Sequence, residues 1–242
     1  MHRRPTTRGP PVTEQSGQRL SGTVSVLDTL RGAIVRGELH PGERLVENDL
    51  ARRYGTSRGA VREALVLLDN EGLVSRERNR GASVRPVSLE EAIEITEVRA
   101  ALEGLCAARA AGAATRAERA GLRAIGRDMA AAVEAGDVLG YSATNQRVHA
   151  RIRELAAQHT VAAILDRLRF QSVRYQFQVA LLPGRPGQGL REHLAVIEAV
   201  AAGNADAAEQ AMRAHLQSVI GVLRTLAAGA PPAVPVVPVA VG

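Results

Sequence analysis

The chain has 242 residues, of which 31 are basic and 25 acidic, and its formal net charge is +6. A hydrophobic fraction of 45% permits a sizeable core, and the 2% of aromatic residues predicts an aliphatic core of the kind that packed helices form. The single cysteine excludes an internal disulfide, and no apolar run reaches the roughly 18 residues that a membrane span needs. These features indicate a cytoplasmic protein without a membrane partner.

The excess of positive charge lies in the first third of the chain. Residues 1–85 contain 15 basic and 10 acidic side chains, whereas residues 86–242 contain 16 and 15. A basic module of this kind favours binding to the phosphates of a nucleic acid.

The front of the chain is predicted to be a winged helix-turn-helix domain over residues 23–85, preceded by a disordered basic arm at residues 1–22. Gly37 and Gly55 end the first two helices, and Ser57 is a suitable N-cap for the third. The predicted elements are helices at residues 24–36, 46–54 and 58–70 and a two-stranded hairpin at residues 73–84.

The rest of the chain is predicted to be an all-α antiparallel bundle of six or seven helices over residues 86–228, with a disordered tail at residues 229–242. Pro86 marks the boundary, since it disfavours a helical conformation in the residue before it. Capping-box patterns begin at Ser88 and Thr115. The predicted helices span residues 88–113, 115–136, 137–157, 159–181, 187–202 and 205–227. The fold class is therefore mainly α.

The third helix has a basic outer face. Arg58 and Arg62 lie four residues apart, opposite an apolar stripe at Val61, Leu65 and Leu68. Guanidinium groups at the start of a helix can reach guanine edges or phosphates in the major groove. We therefore predict DNA binding by this helix, with arginines of the wing, Arg80 among them, along the flanking phosphates. The alternative is an ordinary solvated basic face.

Four side chains of the bundle have a spacing compatible with one metal site. Asn145 and His149 share a helix face, while His193 and His215 lie on two later helices. Metal sites in bundles are built from such facing side chains, and imidazole suits several transition metals. Considered by spacing alone this signal is weak, because a single histidine on an apolar helix face is more often a hydrogen-bonded core residue.

The front of the chain also resembles a known family. The run from Gly37 to Leu65, with Glu71-Gly72-Leu73-Val74 and Arg80-Gly81 after it, resembles the GntR family of bacterial transcriptional regulators over about residues 24–85. This resemblance implies DNA contacts at Arg44, Ser57, Arg58, Arg62 and Gly81, and we add Gly59 and Arg80 to the predicted interface. The family usually has Thr-Pro where this chain has Gly59-Ala60, so one hydroxyl donor to phosphate is missing.

Residues 88–227 resemble the all-helical, FCD-type ligand-binding domain of the FadR subgroup of that family. Its pattern of Asp or Asn followed four positions later by His, and then by two further His, falls on Asn145, His149, His193 and His215. The resemblance implies a divalent metal that holds a small organic acid. We expect zinc, with nickel, manganese and iron as alternatives. Asn in place of Asp removes a negative charge, which should weaken metal retention and favour an anion.

Two arginines are candidates for binding the acid. Arg99, together with Glu103, matches a further pattern of the family and is predicted to pair with the carboxylate of the effector; the alternative is a salt bridge to a neighbouring helix. Arg174 is a second candidate in the same pocket.

The predicted function is that of a transcriptional regulator that is not an enzyme. We expect a homodimer that binds a near-palindromic operator and is controlled by a small carboxylate at the metal, and the resemblance to the family implies a repressor. Two alternatives remain open. In one the metal is purely structural and there is no effector. In the other the three histidines form a metal-dependent enzyme with Glu192 as its general base.

Overall fold

A computed structural model describes residues 26–77 and 81–229, except for the side chains of Arg169, Phe170, Val173, Arg174 and Phe177. The chain divides into two compact units, Met1–Pro86 and Val87–Gly242. The predicted arm at residues 1–22 and the predicted tail, apart from Gly229, lie outside the described residues. Among those that are described, no helix is long and apolar enough to cross a membrane.

The first unit is a winged helix-turn-helix, as predicted. Its elements are helix α1 at 26–35, strand β1 (Arg44–Leu45), helices α2 (Glu47–Arg53) and α3 (Arg58–Asn70), and strands β2 (Val74–Glu77) and β3 (Gly81–Val84). The strands form an antiparallel sheet in the order β1-β3-β2. The sequence did not predict β1, because two residues are too few to show an alternating pattern.

Local chemistry explains how α3 is placed. The Ser57 hydroxyl accepts a hydrogen bond of 3.1 Å from the amide of Ala60, so Ser57 is the predicted N-cap. Val61, Leu65 and Leu68 are buried in the core of the unit, at 0%, 2% and 0% exposure. Their burial turns Arg58 and Arg62 toward solvent, which confirms the predicted amphipathic pattern.

The second unit is a bundle of six helices within the described residues, and the predicted all-α class is confirmed. The helices are α4 (Leu89–Ala113), α5 (Arg116–Glu134), α6 (Val138–Ala156), α7 (His159–Ala180), α8 (Arg185–Ala202) and α9 (Ala205–Ala227). Helix α4 packs against α6, α7, α8 and α9. This central position of α4 matters because the side chains of the candidate site come from α6, α8 and α9, which all pack against it.

The ends of these helices follow the predicted signals in most places. Thr115 and Glu118 form both bonds of a capping box, and the Ser88 hydroxyl accepts from the amide of Glu91. The predicted start of α8 at residue 187 was wrong. The helix begins at Arg185, because Pro186 fits the first helical turn, where its missing N–H has no partner to lose.

Candidate functional site

The predicted DNA-contacting residues that the structure describes lie on the surface of the first unit. Ser57, Arg58, Gly59 and Arg62 are exposed around the start of α3, and Arg44 is exposed on β1. At the start of β3, the strand that pairs with β1, Gly81 is exposed and has a φ of +87°, a conformation that favours glycine. Arg80 lies outside the described residues.

One of these arginines has a partner that the sequence did not reveal. Arg62 donates from Nε to Oε1 of Glu47 over 2.9 Å and from Nη2 to Oε2 over 2.7 Å. The hydrogen bonds from Arg62 lower the pKa of the Glu47 carboxyl. The pair joins the first turn of α2 to α3, and it leaves Nη1 of Arg62 available to another acceptor.

The three predicted metal-ligating histidines meet in the interior of the second unit. His149 of α6, His193 of α8 and His215 of α9 are all buried, with 6%, 0% and 4% of their surface exposed. The Nε2 atoms of His149 and His193 lie 3.2 Å apart. One ligand atom from each of the three rings lies within 4.8 Å of the others. The structure therefore brings together the three histidines whose spacing in the sequence suggested one metal site.

Asn145, the fourth predicted ligand, lies one turn before His149 on α6 and lines the same cavity as His149 and His215. Its Oδ1 atom is buried and has no hydrogen-bond partner among the described residues. A buried polar atom left in this way costs free energy, on the order of 1–3 kcal/mol, unless a ligand or a water satisfies it. The unpaired Oδ1 of Asn145 therefore indicates that a ligand binds at this point.

Each histidine is held from its outer side by a hydrogen-bond acceptor. Nδ1 of His149 bonds to Oε2 of Glu103, Nδ1 of His215 lies 2.8 Å from Oε2 of Glu192, and Nδ1 of His193 lies 2.6 Å from the carbonyl oxygen of Gly189. Because a carboxylate or a carbonyl only accepts, Nδ1 carries the proton and Nε2 keeps its lone pair. Metal-ligating histidines are oriented in this manner.

The acceptor Glu103 is itself held by a predicted residue. Arg99 approaches Oε1 of Glu103 with Nε at 2.9 Å and Nη2 at 2.7 Å. Burial alone would raise the pKa of Glu103, but the Arg99 charge and the His149 ring outweigh it and hold the pKa well below its usual range. Arg99 thus forms its salt bridge within its own helix, not with a neighbouring helix. It also lines the cavity.

A second arrangement of the same type holds His215, and the sequence analysis missed its arginine. Arg185 is 5% exposed and donates from Nη1 and Nη2 to the two oxygens of Glu192, each over 2.9 Å. Burial opposes ionisation of Glu192, but hydrogen bonds from His215, Arg185 and Ser218 lower its pKa to about 2. The only sequence feature that distinguishes Arg185 is its position one residue before Pro186.

The pKa values of the histidines favour the neutral rings that bind metals. Burial is the main cause, and it lowers the pKa of His215 to about 4 and that of His193 well below its usual range. Neighbouring rings act in the same direction. At neutral pH both rings therefore present an uncharged nitrogen, which is the form that coordinates a divalent ion.

The cavity beside the histidines is small and has both polar and apolar side chains in its lining. It has a volume of about 40 Å³, and its lining includes Arg99, Tyr141, Asn145, His149, Arg185 and His215. A buried water molecule needs roughly 10–15 Å³ of cavity volume, so this cavity has room for a few waters or for a small group next to an ion. The side chain of Arg174, the second predicted effector contact, lies outside the described residues.

These residues fit a divalent metal. Zinc–nitrogen bonds of about 2.0–2.1 Å in a tetrahedral arrangement place two nitrogens roughly 3.3 Å apart. The 3.2 Å between Nε2 of His149 and His193 is close to that value. Without a cation, these two lone pairs would face each other with no proton between them. Three oriented imidazoles and a free amide oxygen are a donor set that suits a transition metal.

The two units together define a DNA-binding transcriptional regulator with a potential ligand site. The chain belongs to the GntR family: the model for the bacterial regulatory proteins of the gntR family matches residues 23–84, and that for the FCD domain matches residues 94–218, which is half of the chain. The family consists of transcriptional regulators, so the chain is not assigned to an enzyme class. Glu192 is moreover already bonded to Arg185 and His215, which leaves the enzyme alternative without its base.

Similar proteins are named as transcriptional regulators or share the fold. An uncharacterised HTH-type transcriptional regulator from the TAR-I ttuE-ttuC' intergenic region of Agrobacterium vitis is 36% identical over 61% of this chain and 90% of its own length. The HTH-type transcriptional repressor RspR of Escherichia coli is 28% identical over 81% and 86%. The solved structure of E. coli McbR/YncC has the same fold, with a TM-score of 0.74, 22% identity and coverage of 85% and 98%.

Proposed function

We propose that this regulator is a homodimeric repressor that binds a near-palindromic operator and releases it when a small carboxylate binds at a metal in the helical unit. The observation that supports the proposal most is the cluster of three buried histidines beside a cavity that Asn145, with its unpaired Oδ1, also lines. One relative is named a transcriptional repressor, and this name supports repression rather than activation.

The DNA-binding part of the proposal rests on the exposed start of α3. Arg58 and Arg62 would enter the major groove, and the backbone amides at the N-terminus of α3, next to Ser57, would lie against a phosphate. Arg44 and Gly81 would contact the backbone beside them. A dimer would present two such helices to half-sites about one helical turn apart, which is the reason for expecting a near-palindromic operator.

The metal would be held by Asn145, His149, His193 and His215, and when bound it would supply a positive charge that attracts and orients a carboxylate. Arg99 lines the same cavity, and its Nη1 atom makes no hydrogen bond to any residue that the structure describes. That nitrogen can therefore donate to a carboxylate while Nε and Nη2 continue to hold Glu103.

Helix α4 offers a route from the cavity to the DNA-binding unit. It is the first helix after the boundary at Pro86, and it carries both Arg99 and Glu103. Because Arg99 holds Glu103 and Glu103 holds His149, a carboxylate that binds both Arg99 and the metal would act on α4 and α6 together. An acid controls DNA binding only as far as its affinity differs between the DNA-bound and free arrangements.

The proposal is tested by footprinting the DNA upstream of the protein's own gene with metal-loaded and metal-stripped protein, in the presence of a panel of small carboxylic acids. We expect a protected palindrome that at least one acid abolishes, and only with the metal-loaded protein. Protection that no acid changes would support a structural metal. A protein that contains no metal after growth in metal-replete medium would contradict the site.

A further inference from the structure

We infer that the cavity selects acids that carry two negative charges over acids of the same shape that carry one. The inference rests on the proposed function and makes it more specific, since it names the charge of the effector. Its basis is the balance of charges among the buried residues around the three histidines.

Among the side chains that the structure describes, every charged group that lines or supports the cavity is paired with a group of opposite charge. Arg99 is paired with Glu103 and Arg185 with Glu192, and all four side chains are largely or fully buried. The three rings coordinate a metal only in the neutral form, and the amide of Asn145 has no charge. The described residues thus contribute no net charge to this region, and beside them a divalent ion would retain its full charge of +2.

A charge of this size is unfavourable in a protein interior that has room for only a few waters. Burial of an uncompensated ion costs several kcal/mol even after the protein relaxes. A ligand with one negative charge would leave a charge of +1, whereas a dianion would cancel it. Residues with hydrogen-bond donors are also present, because Arg99 and the buried Tyr141 both line the cavity.

Asn145 is the residue that decides this balance. An aspartate at the same place would offer an oxygen with nearly the same geometry and one negative charge. The metal centre would then carry +1, which a monoanion cancels. Asn145→Asp is therefore a matched variant in which the charge changes and the shape hardly does.

The test is isothermal titration of metal-loaded protein with pairs of acids in which one carboxylate is replaced by an amide: malonate against malonamate, and succinate against succinamate. We expect wild-type protein to prefer the dianion of at least one pair about tenfold or more. In Asn145→Asp the preference should fall or reverse, and the metal should be retained more strongly against a chelator. Metal content is measured after each titration, so that removal of the metal by the acid is not mistaken for binding.

The outcomes separate the inference from the proposed function. Equal or tighter binding of the monoanions by wild-type protein overturns the inference, whereas release of operator DNA by those same monoanions would leave the proposed function intact. Metal-loaded protein that binds no acid overturns both. The wild-type comparison is sufficient by itself should the variant fail to fold.

Discussion

Arg62 and Glu47 form a two-point ion pair across the first unit although 15 residues separate them in the chain. The Arg62 side chain is 56% exposed, so the energy of the pair is small, and its consequence is mainly geometric. The carboxylate fixes the guanidinium plane on the face of α3 that we assign to DNA. An arginine fixed in advance loses less conformational entropy when it reads a base.

Replacement of Glu47 by glutamine should therefore have two opposite effects. The loss of a negative charge near DNA should raise non-specific affinity slightly. The loss of the two-point pair should lower the ratio of operator affinity to non-operator affinity. Fluorescence anisotropy with the operator and with a scrambled duplex, each at several salt concentrations, measures both effects.

Asp49→Asn is the matched control for that variant. Asp49 is in the same helix and pairs with Arg52 at 2.6 Å on an exposed surface, so its replacement leaves the Glu47–Arg62 pair in place. It should reproduce the non-specific gain without the loss of discrimination. If Glu47→Gln instead raises the affinity for the operator selectively, Glu47 withholds Arg62 from DNA and does not position it.

Removal of the recognition arginines should affect operator binding directly. Arg58→Ala or Arg62→Ala should each cost about 1–3 kcal/mol of specific binding free energy if its guanidinium reads a base. A contact to phosphate alone would lower operator and non-operator affinity alike, and it would reduce the salt dependence by about one counterion. Quantitative gel-shift assays with base-substituted operators distinguish these cases, and an unchanged affinity would remove the arginine from the interface.

Removal of a metal-ligating histidine should empty the metal centre. His149→Ala and His215→Ala should each lower the metal content of purified protein sharply, because each removes one of three imidazoles that meet at one point. His159→Ala is a suitable control, since His159 is exposed at the start of α7. Elemental analysis of the three variants, with circular dichroism to verify the fold, measures the effect. Equal metal content in all of them would contradict the ligand assignment.

The fit between Gly189 and Tyr141 offers a prediction about packing beside the cavity. A Cβ atom at residue 189 would overlap the Tyr141 hydroxyl and lie 3.2 Å from its Cζ atom. Gly189→Ala should therefore lower the free energy of unfolding by about 1–3 kcal/mol, as overpacking in cores does.

Tyr141→Phe provides the control for that substitution. The phenylalanine lacks the overlapping oxygen, so it should recover most of the stability lost in Gly189→Ala. Urea denaturation of both single variants and of the double variant measures this coupling. Additive losses in the double variant would show that the two side chains do not compete for the same space.

The sequence predicted those features that depend on local patterns. The apolar stripe through Val61, Leu65 and Leu68 placed α3 correctly, and the cap at Thr115 placed the start of α5. The spacing of His149, His193 and His215 suggested one site, and the structure brings the three rings together.

Contacts between distant residues were not accessible in the same way. Nothing near Glu47 indicates that it pairs with Arg62, and Arg185 reaches the cavity only because α8 starts before Pro186. The role of Glu192 depends on packing between α8 and α9, which brings it 2.8 Å from His215. Such relationships follow from tertiary packing, so a single sequence does not reveal them.

The central claim is that Asn145, His149, His193 and His215 hold one metal ion in the core of the helical unit. It is tested most directly by anomalous diffraction from crystals of the purified protein, recorded on both sides of the absorption edge of the metal found by elemental analysis. The account predicts a single strong peak per chain within bonding distance of the three Nε2 atoms and of Oδ1 of Asn145. No peak at this position, or a peak at another place on the chain, would contradict it.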